Sequence, residues 1–150
     1  MKLFLNVGDI MFRTSHSVHT LARPEEVWNV IKDVSRWRSW FLDVELVQLH
    51  GPLVIGMQGL LYFIGDRVYT MLIKKCSQGY MEILVNLRFG VKMRFVANIS
   101  LDPSGSKIKL ESELLGLMAI FNAWGFGKKI KTGLVSATRR LGALSQETRV

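Results

Sequence analysis

Residues 22–40 have the sequence ARPEEVWNVIKDVSRWRSW, which contains the start of a helix and its apolar face. Pro24 suits the first position of a helix, because its ring fixes φ near the helical value. The backbone N–H that proline lacks would have no hydrogen-bond partner within the helix at that position. Glu25 and Glu26 place negative charge at the positive end of the helix dipole. The apolar residues that follow recur at helical spacing and are Val27, Trp28, Val30 and Ile31. This pattern predicts a short amphipathic helix in which Trp28 is a structural residue.

A second short helix is predicted directly after the first. Asp33 and Ser35 are residue types that cap helices well. They are followed by an aromatic cluster of Trp37, Trp40 and Phe41. The segment therefore predicts two short helices, and its aromatic cluster either frames the mouth of a cavity or forms ordinary structural packing.

Seven positions of this segment match the pattern of one known superfamily, and these are Ala22, Pro24, Val27, Trp28, Asp33, Trp37 and Trp40. The chain resembles the polyketide cyclase/dehydrase-like branch of the START and Bet v 1-like (SRPBCC) superfamily. The similarity continues through the Gly51-Pro52 turn, the strand entry at Gly56–Gly59 and a C-terminal helix that ends near Leu144. The resemblance implies an α+β helix-grip fold, in which a curved antiparallel sheet of about seven strands wraps around a long C-terminal helix. It indicates little about activity, because this fold accommodates many ligands.

The composition is that of one domain with a large apolar content. The chain has 150 residues, 49% of them hydrophobic, and a mean hydropathy of +0.21. We expect a single domain over residues 1–150, with residues 1–10 forming a short strand or a leader segment. The apolar content leaves two interpretations open, a tightly packed core or apolar residues that line a cavity or an oligomer interface.

The cysteine content and the net charge bear on the cellular compartment of the protein and on the classes of molecule that it could bind. The single cysteine, Cys76, excludes an intramolecular disulfide. The first apolar run is too short for a signal peptide, and charges and glycines interrupt every longer run. We therefore expect a soluble, cytoplasmic protein. The net charge of +8 favours phosphates, anionic lipid surfaces or acidic ligands, or simply provides solubility.

Alternation of apolar and polar residues predicts seven strands. They span residues 11–20, 44–50, 58–64, 67–77, 80–89, 91–101 and 107–115. In the last of these, Glu111 and Glu113 are predicted to face outward. From Ile120 to Gln146 the apolar spacing changes to three and four, which predicts a long amphipathic helix. Gly125, Gly127 and Gly133 weaken the first half of that helix by about 1 kcal/mol each.

The resemblance implies a cavity between the inner face of the sheet and the long helix. Its predicted lining consists of the residues that the alternation of the strands and the spacing of the helix place on the inward-facing side. They are Phe12, His16, Val18, Phe63, Val85, Leu87, Met93, Phe95, Leu110, Ser112, Leu114, Trp124, Ile130 and Leu134. Further polar candidates are Thr14 and either Tyr62 or Tyr69, since a few polar groups orient a ligand that apolar burial holds. Inward phase alone also fits solid packing.

Catalytic and metal-binding signals are sparse. The histidines are His16, His19 and His50, and the first two point to opposite faces of a strand, so we predict no metal site and no cofactor. His16 is the one candidate catalytic residue, because an imidazole in an apolar cavity can transfer a proton. The alternative is a core histidine with a backbone or water partner. Cys76 lies beside Lys75, which would lower the pKa of the thiol, although a cysteine in a strand more often fills space.

These observations favour binding or transport of a hydrophobic or amphipathic small molecule over catalysis. The ligand classes considered are a lipid, an isoprenoid, a polyketide or an aromatic compound. The main alternative is a cyclase or dehydratase that uses the same cavity. A third hypothesis is a membrane-surface lipid- or quinone-binding module, whose anionic membrane contact would involve Lys128, Lys129 and Lys131. Those lysines also fit an ordinary solvated helix face, and a fourth hypothesis is an interaction module with a filled core. We expect no nucleic-acid partner, since no base-stacking strand or groove-reading helix is recognisable.

Overall fold

A computed structural model describes residues 12–88, 90–116 and 119–147, with side chains in the last range described from residue 128 onward. The strands are β1 (Phe12–Thr20), β2 (Val44–Leu49), β3 (Gln58–Phe63), β4 (Arg67–Ser77), β5 (Tyr80–Asn86), β6 (Lys92–Asp102) and β7 (Gly105–Leu115). The helices are α1 (Pro24–Lys32), α2 (Trp37–Trp40) and α3 (Ala119–Glu147), with a 3₁₀ turn at Val34–Arg36 before α2. The predicted leader segment 1–10 lies outside the described residues.

Local chemistry fixes the start of α1 and the start of the 3₁₀ turn that follows it. Pro24 is its first residue, and the side chain of Glu26 accepts a hydrogen bond from the backbone N–H of Arg23 at 3.0 Å. At the other end, Asp33 Oδ1 accepts from the backbone N–H of Ser35 at 3.2 Å and caps the 3₁₀ turn. These two caps hold the chain between β1 and β2 in its predicted helical path.

The seven strands form one curved antiparallel sheet in the order β1-β7-β6-β5-β4-β3-β2. Side chains alternate between its two faces as predicted. In β1, for example, the half-buried inner residues are Phe12, Thr14, His16 and Val18, and exposed residues separate them. The sheet, the two short helices after β1 and the long C-terminal helix confirm the predicted helix-grip architecture.

Helix α3 packs along β1 and β7 and covers the inner face of the sheet. Its buried side chains include Leu134, Ala137 and Leu141. Near its C-terminal end, the hydroxyl of Thr20 donates a hydrogen bond to the carbonyl of Gly142 at 3.1 Å. The C-terminal end of the helix is therefore fixed against the last residue of β1.

The strand β5 is shorter than the predicted range 80–89. It ends at Asn86 because the chain then turns, with the N–H of Leu87 donating to the carbonyl of Val91 at 2.8 Å. Gly90 has a φ of +73°, which a glycine adopts without the cost that a side chain brings. Phe89 lies outside the described residues.

An ion-pair network covers the outer face of the sheet. The two guanidinium groups of Arg13 and Arg94 contact Glu113 Oε1 at 2.5 and 3.2 Å, without the alignment of a hydrogen bond. Arg94 Nη2 also donates to Glu82 Oε1 at 2.8 Å, and this bond is the main reason that the pKa of Glu82 is lowered. Glu113 faces outward as predicted. It is nevertheless buried, because the arginine side chains cover it.

Candidate functional site

The predicted lining residues lie on the inner face of the sheet and on the facing side of α3, and they fall into two groups by burial. Seven are buried, namely Val85, Met93, Phe95, Leu110, Ser112, Leu114 and Leu134. Six are half-buried, namely Phe12, His16, Val18, Phe63, Leu87 and Ile130. The side chain of Trp124 lies outside the described residues. The first group forms a packed centre, and the second retains accessible surface.

Aromatic side chains fill the packed centre. Phe41, which follows α2, lies 5.3 Å from Phe95 of β6 between ring centroids. Trp40 in turn lies 5.6 Å from Phe41, so that a row of rings runs from α2 to the middle of the sheet. Trp37 and Trp40 are both fully buried. Of the two alternatives that the sequence left open for these tryptophans, a cavity mouth or structural packing, their position in the core fits structural packing.

Most of the half-buried apolar residues of the predicted lining, all except Val18, lie at one end of the sheet, which we call the hairpin end. There β1 begins, β7 ends, and the β3–β4 and β5–β6 turns lie. Phe12 pairs with Leu114 in register at this end. Phe63 meets Tyr69 edge-on, with 5.6 Å between ring centroids. Gly142 is held beside Thr20 at the opposite end of the sheet. Ile130 is about 18 Å away from it along α3, at a rise of 1.5 Å per residue, and therefore lies nearer to the hairpin end.

Two buried polar groups on this side of the sheet have no hydrogen-bond partner among the described residues. One is Ser112 Oγ, on the inner face of β7. The other is the indole N–H of Trp40. Sequence phase identified Ser112 as a candidate polar group. It did not identify the indole of Trp40, because a pattern of residue types does not show which buried N–H has a partner.

The remaining polar candidates separate by face. His16 and Thr14 lie on the inner face, and the imidazole of His16 makes no hydrogen bond with another described residue. Tyr69 also faces inward, where it packs against Phe63. Tyr62 was an incorrect candidate, since it lies on the outer face and donates a hydrogen bond to Gln48 at 3.0 Å. Its position follows from the alternation of β3, in which Leu61 and Phe63 point inward.

The surroundings of Cys76 disfavour the thiolate form of its side chain. Burial raises its pKa, whereas the neighbouring Lys75 was expected to lower it. Its Sγ lies 3.7 Å from the carbonyl oxygen of Leu53. Within residues 12–88, 90–116 and 119–147, no group of three or more histidine, cysteine, aspartate or glutamate side chains is placed to hold a metal ion.

Two open clefts that the sequence did not predict lie at the opposite end of the sheet, where α1 crosses it. They have volumes of about 550 and 610 Å³ and share Lys32 and Leu53. The first is bordered by Trp28, which is 9% exposed and otherwise packs in the core as predicted. The second lies between the 3₁₀ turn and the loop that joins β2 to β3.

Exposed apolar and basic side chains meet on the surface beside α3. Leu42 and Ile64 are 45% and 59% exposed. The N–H of Ile64 donates to the carbonyl of Asp43 at 3.0 Å, and the Asp43 carboxylate lies against Gly133 of α3. Lys129 lies one helical turn before Gly133 and is exposed, as are the two other lysines predicted to contact a membrane. No helix in the described part of the chain is long and apolar enough to cross a bilayer.

The sequence matches no protein-family model and shows no significant similarity to a curated protein. Its fold is nevertheless shared with solved structures. The structure of Ara h 8.0201 aligns with a TM-score of 0.72 at 10% identity, covering 91% of this chain and 98% of that one. A protein from Thermus thermophilus aligns with a TM-score of 0.73 at 9% identity, covering 93% and 100%.

A third similar structure is norcoclaurine synthase from Thalictrum flavum in complex with dopamine and hydroxybenzaldehyde. It aligns with a TM-score of 0.69 at 14% identity, covering 91% of this chain and 87% of that one. Such low identities show the fold alone. The chain therefore has the helix-grip fold of the START and Bet v 1-like superfamily, as the resemblance of residues 22–40 implied.

Proposed function

We propose that the protein binds a hydrophobic or amphipathic small molecule between the inner face of the sheet and α3, with entry at the hairpin end. The observation that carries the proposal is the set of half-buried apolar side chains at that end, Phe12, Phe63, Leu87 and Ile130. They pack against the core and keep accessible apolar surface. A ligand that covers this surface gains about 25 cal/mol per Å².

The fold supports the same proposal by analogy. Norcoclaurine synthase, which has this fold, was solved with two small aromatic molecules. In the present chain the centre of the inner face is packed, so a ligand that enters deeply must separate α3 from the sheet. Three glycines, at positions 125, 127 and 133, lower the helix propensity of the half of α3 that faces the hairpin end by about 1 kcal/mol each.

Titration with the fluorescent apolar probe 1-anilinonaphthalene-8-sulfonate tests this proposal. We expect saturable binding that Ile130→Trp weakens about tenfold, equivalent to about 1.4 kcal/mol, because the larger ring occupies the entry. Leu144→Trp is the matched control, since Leu144 is also a half-buried residue of α3 that packs on the core, at the other end of the helix. Absence of saturable binding, or an equal effect of the two variants, would contradict the proposal.

A cyclase or dehydratase activity in the same place is supported by one residue, His16. It is half-buried on the inner face, and its imidazole makes no hydrogen bond with a described residue. The two buried carboxylates among the described residues, Glu82 and Glu113, lie on the outer face and cannot assist it there. The test is turnover of a poly-β-carbonyl compound. If His16→Ala abolishes turnover and retains probe binding, the protein is an enzyme.

Contact with an anionic membrane is supported by the surface beside α3. Leu42 and Ile64 present apolar surface, and Lys128, Lys129 and Lys131 are exposed on the nearby part of the helix. Apolar side chains beside lysines suit the interface of a bilayer that contains anionic lipid. A protein that loads its ligand from a membrane would place the hairpin end against it.

Liposome sedimentation separates this hypothesis from a carrier that works only in solution. We expect sedimentation with vesicles that contain phosphatidylserine and little with pure phosphatidylcholine, and we expect Ile64→Ser to reduce it. Ile55→Ser is the matched control, because Ile55 is 65% exposed and lies beyond the other end of β3. Equal sedimentation of both variants and the wild-type protein would contradict membrane contact through this surface.

A further inference from the structure

We propose that the interior ligand carries hydrogen-bond-accepting oxygens at both ends of an apolar body, such as the carbonyl groups of a quinone or diketone, and that Ser112 and Trp40 each donate to one of them. This inference rests on the proposed function and deepens it. It assigns a chemical class to the ligand and a role to two side chains.

The first evidence is that both groups are buried without a partner among the described residues. Ser112 is 2% exposed and Trp40 is fully buried. Neither Ser112 Oγ nor Trp40 Nε1 makes a hydrogen bond with a described group. Buried polar groups in folded proteins nearly always have a partner, so each exception requires an explanation.

The second evidence is that equivalent residues nearby do have partners. Ser106 lies on the same face of β7 as Ser112, and its hydroxyl donates to the carbonyl of Ala22 at 2.7 Å. Trp37, three residues before Trp40, donates from its indole nitrogen to the carbonyl of Ile31 at 2.6 Å. The missing partners are therefore specific to two positions and are not a general property of serine or tryptophan in this interior.

The third evidence is that the two donors lie at the ends of one aromatic row. Trp40 contacts Phe41, and Phe41 contacts Phe95, with ring centroids 5.6 and 5.3 Å apart. Phe95 pairs directly with Ser112 across β6 and β7. Residues that pair in this way have Cβ atoms about 5 Å apart. An aromatic or otherwise apolar molecule that inserts along this row would meet one donor at each end, and an oxygen at each of its own ends would accept from them.

The chemistry of the donors selects the class of ligand. An indole N–H donates and cannot accept, and a serine hydroxyl can donate. The complementary group must therefore offer lone pairs, which an ammonium group or a pure hydrocarbon does not. The alternative occupant is a buried water, which bridges such groups in many proteins.

Benzophenone and diphenylmethane form a matched pair of probes, since they differ only in a carbonyl in place of a methylene. Their affinities are measured by displacement of the fluorescent probe. We expect wild-type protein to bind benzophenone about tenfold more tightly, the effect of a typical hydrogen bond. Because the single carbonyl of benzophenone can accept from either donor, the double variant Ser112→Ala/Trp40→Phe should reduce this preference to about threefold or less, with little change in the affinity for diphenylmethane. Ser106→Ala is the control that should retain the preference.

A second measurement needs no substitution at the donors. The chain has four tryptophans, and their indole N–H signals are visible by NMR in ¹⁵N-labelled protein. We expect benzophenone to move the Trp40 signal downfield and diphenylmethane not to do so. If both probes bind equally and neither moves that signal, a buried water is the partner and the inference is wrong. If neither probe binds at all, the proposed function itself fails.

Discussion

The indole groups of Trp37 and Trp40 allow one sharp test of how the short helices are held. Both side chains are buried, and their ring centroids are 5.9 Å apart. Trp37 Nε1 donates to the carbonyl of Ile31, which belongs to the last turn of α1. Carbonyls of a last turn have no partner within their own helix. Trp37 therefore closes the end of α1, whereas the N–H of Trp40 has no such role among the described residues.

Replacement of each tryptophan by phenylalanine separates the hydrogen bond from the packing. Each variant loses part of a buried ring, which costs about 1–2 kcal/mol on the scale of other large-to-small core changes. Trp37→Phe also leaves the Ile31 carbonyl without its donor, which adds about 1–3 kcal/mol. Trp40→Phe removes an N–H that has no described partner and carries no such addition. We therefore expect Trp37→Phe to be the more destabilising by about 1–3 kcal/mol.

The assay is urea unfolding of both variants without ligand, followed by far-UV circular dichroism at one pH. The free energies are comparable if the two variants share the same dependence on urea concentration. A cost for Trp40→Phe equal to or greater than that for Trp37→Phe would refute the reasoning. Such a result would mean that the hydrogen bond to α1 contributes nothing or that Trp40 has a partner in solution.

Two further predictions concern the backbone and the outer face. Gly105→Ala should lower the melting temperature far more than Gly65→Ala. Both glycines have a positive φ, but a Cβ at position 105 would lie 2.4 Å from the carbonyl oxygen of Thr20, whereas a Cβ at position 65 would have no atom within 4 Å. Equal melting temperatures of the two variants would contradict this. The hydrogen bond from Arg94 lowers the pKa of Glu82 below its usual 4.5. The stabilisation that ionised Glu82 provides is therefore fully present above pH 4.5, and it is lost as the pH falls through the pKa of Glu82 in the folded protein. Glu82→Gln should therefore lose less stability than the wild-type protein between pH 7 and pH 3, as measured by the urea midpoint, and identical losses would contradict the pairing.

The architecture was predictable because local and periodic signals agreed. The Pro24 start, the Asp33 cap and the alternation in β5 and β6 each required only neighbouring residues. The end of β5 was not predictable in this way. Apolar alternation continues in the sequence to Phe89, but the hydrogen bond between Leu87 and Val91 already belongs to a turn.

The candidate site was predictable only to the level of which face a side chain occupies. The alternation of residues in β7 correctly predicted that Ser112 faces inward and Glu113 outward. It did not show that Glu113 is covered by Arg13 and Arg94, since that burial depends on pairing with distant strands. The strand alternation likewise did not show that the hydroxyl of Ser112 has no hydrogen-bond partner in the part of the chain that the structure describes. Both properties come from the tertiary arrangement of residues that are far apart in sequence.

The position of β1 in the sheet also has a kinetic consequence. As the first described strand, β1 pairs with β7, and the Ser106–Ala22 and Thr20–Gly142 hydrogen bonds join residues 84 and 122 positions apart. During synthesis on the ribosome, β1 emerges long before the elements that pair with it or cover it. Contacts of such high sequence separation slow folding, because the chain must close a long loop before it gains them. The nascent chain therefore exposes the apolar face of its first strand until nearly the whole domain has been made, and this strand is where a chaperone or an aggregating partner would bind first.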